Sequence, residues 1–311
     1  MKEIIRKNVA GIWSAMPTPF TEDLELDTEA VSHLVEHHVR LEIKGLFLAS
    51  PNGEGHLMTD SMRMDLAAEV VKSNQDRMIL SMLVADNPAK LMIDNIKRIE
   101  DCGIDMAVIS FPFTPVEIEL EYLKELYFSV LEESSLPIAL CHIGRVSSDP
   151  LEIDLFKEII THQKVILVKD CSGNLVRRKT IIEVFLSREK ELFALGSNEF
   201  DCMPYAEAGY DGFLLNSACF TGFLANTILE FFEADRIQDA RAVQDYMNSM
   251  LVDIFGSKLE CFLAGQKHML VELGVFNTTK TLQDHQISED CLMSIKEIVL
   301  QEKEFLLPEI E

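Results

Sequence analysis

The feature that most constrains the fold is a series of eight short apolar segments that recur along the 311-residue chain. They are rich in aliphatic and β-branched residues, as expected for the buried strands of a parallel sheet. Helical patterns separate them, and their starts lie about thirty residues apart, closing to about twenty at the end, which suits βα units. The predicted strands are residues 11–15, 45–49, 78–84, 106–110, 138–141, 165–169, 193–196 and 212–215.

Eight strands that alternate with helices predict an α/β fold of the (β/α)8 TIM barrel type. A doubly wound dinucleotide-binding sheet lacks support, because no GxGxxG follows the first strand. Clear helical patterns include residues 28–41, 89–101 and 151–160, with Asp149 as N-cap and Pro150 at the first helical position. Four more follow the last strand, so we expect a barrel over residues 1–222 and a C-terminal helical region over 223–311. These four patterns lie at about 223–234, 236–254, 259–273 and 288–303.

Composition excludes several classes of partner. The chain has 28 basic against 52 acidic residues, a formal net charge of −24. Such a surface repels a nucleic-acid backbone and gains nothing at an anionic membrane. No apolar stretch is long enough to span a membrane, and the first residues lack the apolar core of a secretory signal. We therefore expect a cytoplasmic protein with neither nucleic acid nor membrane as partner.

The cysteines and histidines give no metal motif. The seven cysteines are scattered and form no CxxC, which indicates reduced thiols. His33 and His37 lie four residues apart on a predicted helix, with His38 beside them. No third ligand is evident, so a solvated or packing role is favoured over metal binding. We expect no metal and no other cofactor.

Lys169 is the predicted nucleophile. In barrels of this type the functional residues lie at the C-terminal ends of the strands and in the loops that follow. Lys169 ends the strand Val165-Ile166-Leu167-Val168 and precedes Asp170-Cys171-Ser172-Gly173-Asn174. Partial burial lowers the pKa of a lysine, and only the neutral amine attacks a carbonyl. A lysine that caps a strand at the surface is the alternative from local context alone.

The loop after the second strand is a candidate carboxylate site. Its side chains Ser50 and Asn52, with backbone N–H groups that include that of Gly53, can hold an anion. An ordinary glycine-containing βα turn remains an open alternative. Glu54 is either a base or a structural anchor of this loop, and the anchor is favoured because its carboxylate would repel a bound carboxylate.

Candidates for proton transfer lie at the end of the fifth strand. Cys141 and His142 are adjacent there, and only one of them can face the barrel axis because successive strand residues point to opposite faces. Arg145 can pair with a substrate carboxylate, or with Glu199 or Asp170. Leu214, in the eighth strand, is a further predicted substrate contact. The tyrosines are predicted to be packing residues, and they are Tyr122, Tyr127, Tyr205, Tyr210 and Tyr246.

Five segments match the motifs of a known family in order and spacing. They are Ala15-Met16-Pro17-Thr18-Pro19-Phe20, Ser50-Pro51-Asn52-Gly53-Glu54-Gly55, Leu136-Pro137-Ile138, Val168-Lys169-Asp170-Cys171-Ser172-Gly173-Asn174 and Gly196-Ser197-Asn198-Glu199. On these motifs the chain resembles, over nearly its whole length, the dihydrodipicolinate synthase / N-acetylneuraminate lyase family of pyruvate-handling class I aldolases. The resemblance implies a three-helix C-terminal region, a Schiff base between Lys169 and a 2-oxo acid, usually pyruvate, and often a homotetramer.

The chain departs from the family pattern at three places. Pro51 and Asn52 stand where two hydroxyl residues usually face the pyruvate carboxylate, and Cys141 stands where a tyrosine relays protons. The aromatic pair after the fourth strand is matched by Pro112 and Phe113. The arginine that often binds a second carboxylate falls at Arg145 or one residue later.

Because the hydroxyl relay is missing, strict dihydrodipicolinate synthase activity is disfavoured. A Schiff-base lyase, sugar-acid aldolase or dehydratase acting on pyruvate or a related 2-oxo acid is predicted, as a dimer or tetramer, with Cys141 or His142 replacing the tyrosine. The alternative is a catalytically lapsed relative that binds a small acid or acts as a regulatory protein.

Overall fold

The predicted strands close into a barrel. The structure is a computed structural model that describes residues 6–84, 88–110, 119–142, 151–187 and 191–306. The eight strands are all parallel and pair in chain order, and the barrel closes where Gly11 of the first strand meets Gly212 of the last. The (β/α)8 prediction is therefore confirmed. The strands are β1 Gly11–Ala15, β2 Gly45–Leu48, β3 Ile79–Leu83, β4 Met106–Ser110, β5 Ile138–His142, β6 Val165–Asp170, β7 Phe193–Gly196 and β8 Gly212–Leu215.

Helices follow each strand on the outside of the barrel. The predicted helix start at Pro150 is wrong, because α6 begins at Ile153 with Glu152 as its N-cap in a non-helical backbone conformation. Asp149 and Pro150 themselves lie outside the described residues. The helices are α1 Arg6–Val9, α2 Thr28–Arg40, α3 Asp60–Asn74, α4 Ala89–Cys102, α5 Leu120–Glu133, α6 Ile153–Thr161, α7 Leu175–Ser187, α8 Met203–Glu207, α9 Ala218–Glu233, α10 Ile237–Phe255, α11 Phe262–Glu272 and α12 Glu289–Leu306.

Side chains from alternate strand positions divide into two cores. One fills the inside of the barrel, and a larger one lies between the strands and the surrounding helices. Inside the barrel, Trp13 is fully buried and donates its indole N–H to the carbonyl of Val9 at 2.8 Å. A Cβ at Gly45 would lie 2.4 Å from the Trp13 ring, so glycine is required for this packing. The inner core comprises Val9, Trp13, Ala15, Phe47, Met106, Val108, Ala139, Cys141, Leu167, Phe193, Leu195 and Leu214.

The adjacent histidines of α2 have a packing role. His37 contacts the carbonyl of Cys219 at 2.5 Å, and His38 contacts the hydroxyl of Ser14 at 2.8 Å. Both rings are buried. Burial lowers the pKa of His37 to about 4 and that of His38 to about 3, so both are neutral at physiological pH. Among the described residues no group of His, Cys, Asp and Glu is arranged to hold a metal ion.

The C-terminal helices pack on α9 and on one another beside the barrel. The division predicted at residue 222 stays a prediction, since α9 continues across that position as one helix. None of the described helices combines the length and the apolar character needed to cross a membrane. Side chains of α11 reach the loop after β2, and these contacts matter for the site described next.

Candidate active site

A cavity of about 360 Å³ lies at the C-terminal ends of the strands. Its volume falls in the range of roughly 300–1,000 Å³ typical of small-molecule sites. Most of its lining comes from strand ends and the loops that follow them, with two apolar side chains from the segment before and at the start of α11. The lining residues are Phe47, Ser50, Pro51, Asn52, Cys141, Lys169, Cys171, Ser197, Asn198, Glu199, Phe200, Asn216, Leu259 and Phe262.

Lys169 lies in this cavity near the end of β6. It pairs in register with Cys141 of β5 and with Leu195 of β7, and only 6% of its surface is exposed. Its ammonium lies 5.2 Å from the centre of the Phe47 ring, within the range of a cation–π contact. The strand therefore delivers the amine to the barrel mouth, shielded from bulk water.

The predicted direction of the Lys169 pKa shift is wrong. Burial alone lowers the pKa of this amine, but its electrostatic interactions with Cys171, Cys141 and Glu199 outweigh burial and raise it. Burial of this lysine can be predicted from the strand pattern, whereas the acidic groups around it come together only in the folded barrel. In the resting protein Lys169 is an ammonium, and it needs a proton acceptor before it can act as a nucleophile.

Two thiols lie beside Lys169. A hydrogen bond from the thiol of Cys141 lowers the pKa of Cys171, and although burial opposes this, the charge of Lys169 and a hydrogen bond from Ser197 add to the lowering. The same hydrogen bond raises the pKa of Cys141, and burial raises it further. Cys171 is therefore the thiolate of the pair, and Cys141 keeps its proton.

Ser50 and Gly53 form a tight turn that packs against the loop following β1. The Ser50 hydroxyl accepts a hydrogen bond from the N–H of Gly53 at 3.2 Å, and the Gly53 carbonyl accepts one from the hydroxyl of Thr18 at 2.7 Å. A Cβ at Gly53 would lie 2.6 Å from the carbonyl oxygen of Met16. Because a hydroxyl that accepts a hydrogen bond still carries its own hydrogen, Ser50 keeps a donor for a ligand in the cavity.

The amide of Asn52 is bound by the protein. Its nitrogen donates to the carbonyl of Ala15 at 2.6 Å, and its oxygen accepts from the amide of Gln266 at 2.7 Å. The Asn52 nitrogen also lies 3.2 Å from the Gln266 oxygen, so the two amides form a reciprocal pair between the loop and α11. Asn52 lines the cavity with its side chain already hydrogen-bonded, and its predicted contact with a substrate carboxylate stays a prediction.

Two buried carboxylates, those of Glu54 and Glu199, lie in the loops around the cavity. Glu54 is fully buried, lies 2.7 Å from the ammonium of Lys267, and accepts from the N–H of Leu282 at 2.6 Å. This arrangement matches the interpretation of Glu54 as a structural anchor. Glu199 accepts a hydrogen bond from the N–H of Ser217 at 2.5 Å, at the start of α9, and lines the cavity. A carboxylate at a helix N-terminus is stabilised by the helix dipole.

Several predicted site residues lie away from the cavity lining or outside the described part of the chain. Leu214 lies in the inner core, not among the cavity's lining residues, and its substrate contact stays a prediction. His142 ends β5, and its side chain is outside the described part of the chain. Arg145, Pro112 and Phe113 also fall outside the described residues.

Other cavity residues were not singled out from the sequence. Cys171, Ser197 and Glu199 fall within loops that the strand-end rule selects, so that rule was the available signal. Leu259 and Phe262 follow the eighth strand by more than forty residues, and nothing local in the sequence connects them with the cavity. Their place in the wall depends on how the C-terminal region packs.

The closed parallel barrel and the lysine at its C-terminal mouth define a (β/α)8-barrel protein with a buried lysine in its candidate active site. The sequence model of the Dihydrodipicolinate synthetase family matches residues 8–298. The chain therefore belongs to that family, and it is a class I lyase or aldolase of the dihydrodipicolinate synthase-like type.

Individual relatives are distant in sequence. The chain is 23% identical over 252 residues to 4-hydroxy-tetrahydrodipicolinate synthase of Oceanobacillus iheyensis, covering 80% of this chain and 83% of the relative. It is 25% identical over 280 residues to N-acetylneuraminate lyase 2 of Escherichia coli, covering 86% of each chain. The solved structure of N-acetylneuraminate lyase from Fusobacterium nucleatum complexed with pyruvate is similar at a TM-score of 0.82 and 18% identity, covering 96% of this chain and 98% of the other. That likeness shows the fold.

Proposed function

We propose that this protein is a Schiff-base-forming lyase or aldolase that acts on pyruvate or a related 2-oxo acid through Lys169. The observation that carries the proposal is the burial of this amine in the cavity at the barrel mouth. The amine attacks the 2-oxo carbon, water leaves from the carbinolamine, and the resulting iminium accepts electrons from a neighbouring C–C or C–H bond that breaks. The relatives named as synthase and as lyase support this chemistry and leave the substrate open.

The substrate carboxylate binds beside the loop after β2 in this proposal. The Ser50 hydroxyl is the donor closest in kind to the family's pattern, and the backbone of residues 52–53 adds to it. Pro51 lines the cavity without an N–H or a hydroxyl. Arg145 and Leu214 complete the proposed set of substrate-binding residues. In an acidic protein the positive charge of Lys169 attracts the anionic substrate.

Proton transfer falls to Cys141 and His142 in the proposal. Because its hydrogen bond with Cys171 and its burial raise its pKa, Cys141 stays protonated and serves as an acid. We also propose a cytoplasmic homo-oligomer, dimer or tetramer, with a catalytic barrel and a C-terminal helical region divided near residue 222. The seven cysteines are all free thiols, which suits a reducing compartment.

Borohydride trapping with pyruvate tests the proposal. Reduction of the iminium should leave a stable adduct on the peptide that contains Lys169, detected by mass mapping. Lys164 directly precedes β6, at the end of the strand opposite to Lys169. Its amine donates a hydrogen bond to the carbonyl of Ser134 at 2.8 Å. The variant Lys164→Arg should therefore keep the adduct, and Lys169→Ala should lose it. Absence of an adduct with a panel of 2-oxo acids, or an adduct retained in Lys169→Ala, overturns the proposal.

A further inference from the structure

The two cysteines that line the cavity lie at the same end of the barrel as Lys169. Cys171 follows Lys169 by two residues and lines the same cavity. Cys141 lies directly opposite Lys169 in the register of β5 and β6. Two strands therefore bring an amine and two sulfur atoms together at one end of the barrel.

The groups around Cys171 decide its charge. Cys141 from β5 donates a hydrogen bond to it, and Lys169 from β6 and Ser197 from the loop after β7 also favour the thiolate. Burial and the negative charge of Asp170 oppose ionisation. Asp170 is itself held by the hydroxyl of Tyr210 at 2.8 Å and by two donors of Ser172.

Tyr205 of α8 also faces this region; burial raises its pKa to about 12, and the charges of Asp170 and Cys171 add to the shift. Tyr205 therefore stays a neutral phenol beside the thiolate. Among these groups, Lys169 carries the positive charge that balances Cys171. The charges of Lys169 and Cys171 therefore offset each other within the cavity.

We propose that Cys171 is the proton acceptor that activates Lys169 and the proton donor that releases water from the carbinolamine, with Cys141 as the positioning residue that holds the Cys171 sulfur. This inference rests on the proposed Schiff-base function. It narrows the proposed function by assigning the two proton transfers near the amine to Cys171, and it leaves the proton transfers at the substrate carbon to Cys141 and His142.

The steps balance without another reactant. The Cys171 thiolate takes one proton from the Lys169 ammonium, which gives a thiol and a neutral amine. The amine nitrogen bonds to the 2-oxo carbon, the carbonyl π electrons move to oxygen, and one proton passes from nitrogen to that oxygen. The Cys171 thiol then donates its proton to the hydroxyl as the C–O bond breaks. Water leaves, the iminium carries the positive charge, and the thiolate is restored.

The first test measures how fast the adduct forms. Wild type, Cys171→Ser and Cys141→Ala are mixed with pyruvate, and borohydride quenches at successive times report the adduct on Lys169. Removing a general acid–base group typically slows a step by about 10²–10⁴-fold, so Cys171→Ser should form the adduct roughly 100-fold or more slowly and reach the same final yield. Cys141→Ala should slow it less. Cys102, at the end of α4 and outside the cavity, provides the matched control Cys102→Ser, which should match wild type.

The pH dependence of that rate separates catalysis from a packing role. In wild type the thiolate accepts the proton at neutral pH, whereas in Cys171→Ser the rate should rise only at alkaline pH, as Lys169 loses its proton to solvent. A rate and pH profile in Cys171→Ser equal to those of wild type overturn the role of Cys171. Failure of wild type to form any adduct overturns the proposed function instead, so the two failures are distinct.

A second measurement follows the alkylation of individual cysteines. Thiolates react with iodoacetamide and thiols do not. Alkylation of Cys171, followed by mass mapping, should therefore proceed at a lower pH than alkylation of Cys102, and Lys169→Met should move the Cys171 profile to higher pH. If Cys171 and Cys102 respond to pH alike, Cys171 is not the thiolate and the inference is wrong.

Discussion

Glu54 and Lys267 form an ion pair at 2.7 Å in which neither side chain reaches solvent. Glu54 belongs to the loop after β2, and Lys267 belongs to α11. The pair therefore connects the C-terminal region with the loop that carries Ser50. The Lys267 ammonium also lies 4.3 Å from the centre of the Phe20 ring and donates to the carbonyl of Lys280 at 2.5 Å. The loop that carries Ser50 is thus held from outside the barrel.

Removing one member of this pair should be strongly destabilising. Lys267→Met leaves a buried, unpaired carboxylate, which typically costs about 3–5 kcal/mol in the free energy of unfolding. Lys280 offers a matched control, because its pair with Glu22 is at 3.2 Å with half-exposed to exposed side chains, and such pairs are worth about 0–1 kcal/mol. Urea unfolding of Lys267→Met and Lys280→Met measures both. Equal effects of the two variants would contradict a buried anchor.

The α2 histidines should make the protein sensitive to mild acid. The folded-state pKa values of His37 and His38 are lowered to about 4 and about 3, so below pH 6.5 the unfolded chain binds protons that the folded protein does not. Stability is therefore complete above the unfolded pKa and falls as the pH decreases. Between pH 7 and pH 5 each histidine should cost about 2 kcal/mol of unfolding free energy.

Urea unfolding across this pH range checks the expectation. The double variant His37→Gln/His38→Gln should lose less stability on acidification than wild type, whatever its stability at pH 7. His33, exposed on the same helix, supplies the control His33→Gln, which should follow the wild-type pH dependence. A double variant with an unchanged pH dependence would show that other groups govern the response.

The amide pair of Asn52 and Gln266 should control the geometry of the loop after β2, which is the proposed carboxylate site. Gln266→Leu leaves the Asn52 oxygen without its partner at 2.7 Å, and a buried unsatisfied polar group costs about 1–3 kcal/mol. Because Asn52 adjoins the proposed carboxylate site, the KM for the 2-oxo acid should rise more than kcat falls. Gln301→Leu, on the exposed face of α12, is the control, since its partner Glu297 lies on the same helix. Kinetics in which only kcat changes would contradict the assignment.

Gly53 should tolerate no side chain. In Gly53→Ala the new Cβ would meet the Met16 carbonyl oxygen at 2.6 Å, and a backbone atom cannot move aside as a flexible side chain can. The loop would shift, and we expect at least a tenfold loss of adduct formation at low pyruvate concentration, on the order of 1.4 kcal/mol. Gly274 has a positive φ of 75° with open space around it, so Gly274→Ala should cost about 1–2 kcal/mol in stability and leave adduct formation unchanged. Normal trapping in Gly53→Ala would show that the turn is not needed.

The sequence predicted the barrel well because strand burial is a local signal. All eight strands were located to within one residue at each end, since apolar runs bounded by polar residues and glycine mark interior strands directly. The error at Asp149 and Pro150 arose because good capping residues permit a helix start without requiring one. The position of Lys169 at the C-terminal end of a predicted strand was then enough to make it a candidate nucleophile.

The sequence alone determined the barrel and the lysine at its mouth, because the pattern of apolar strands is a local property of the chain. It also determined which residues stand where the resemblance implies hydroxyl groups, because residue identity needs no structure. The tertiary structure decided the charge of that lysine. Burial favours the neutral amine, but strand pairing brings Cys171, Cys141 and Glu199 around it, and their electrostatic interactions with the amine reverse the shift in its pKa. It also decided that Asn52 binds Gln266 and that Glu54 binds Lys267, because these partners lie more than 200 residues apart in sequence and meet only when the C-terminal helices pack on the barrel.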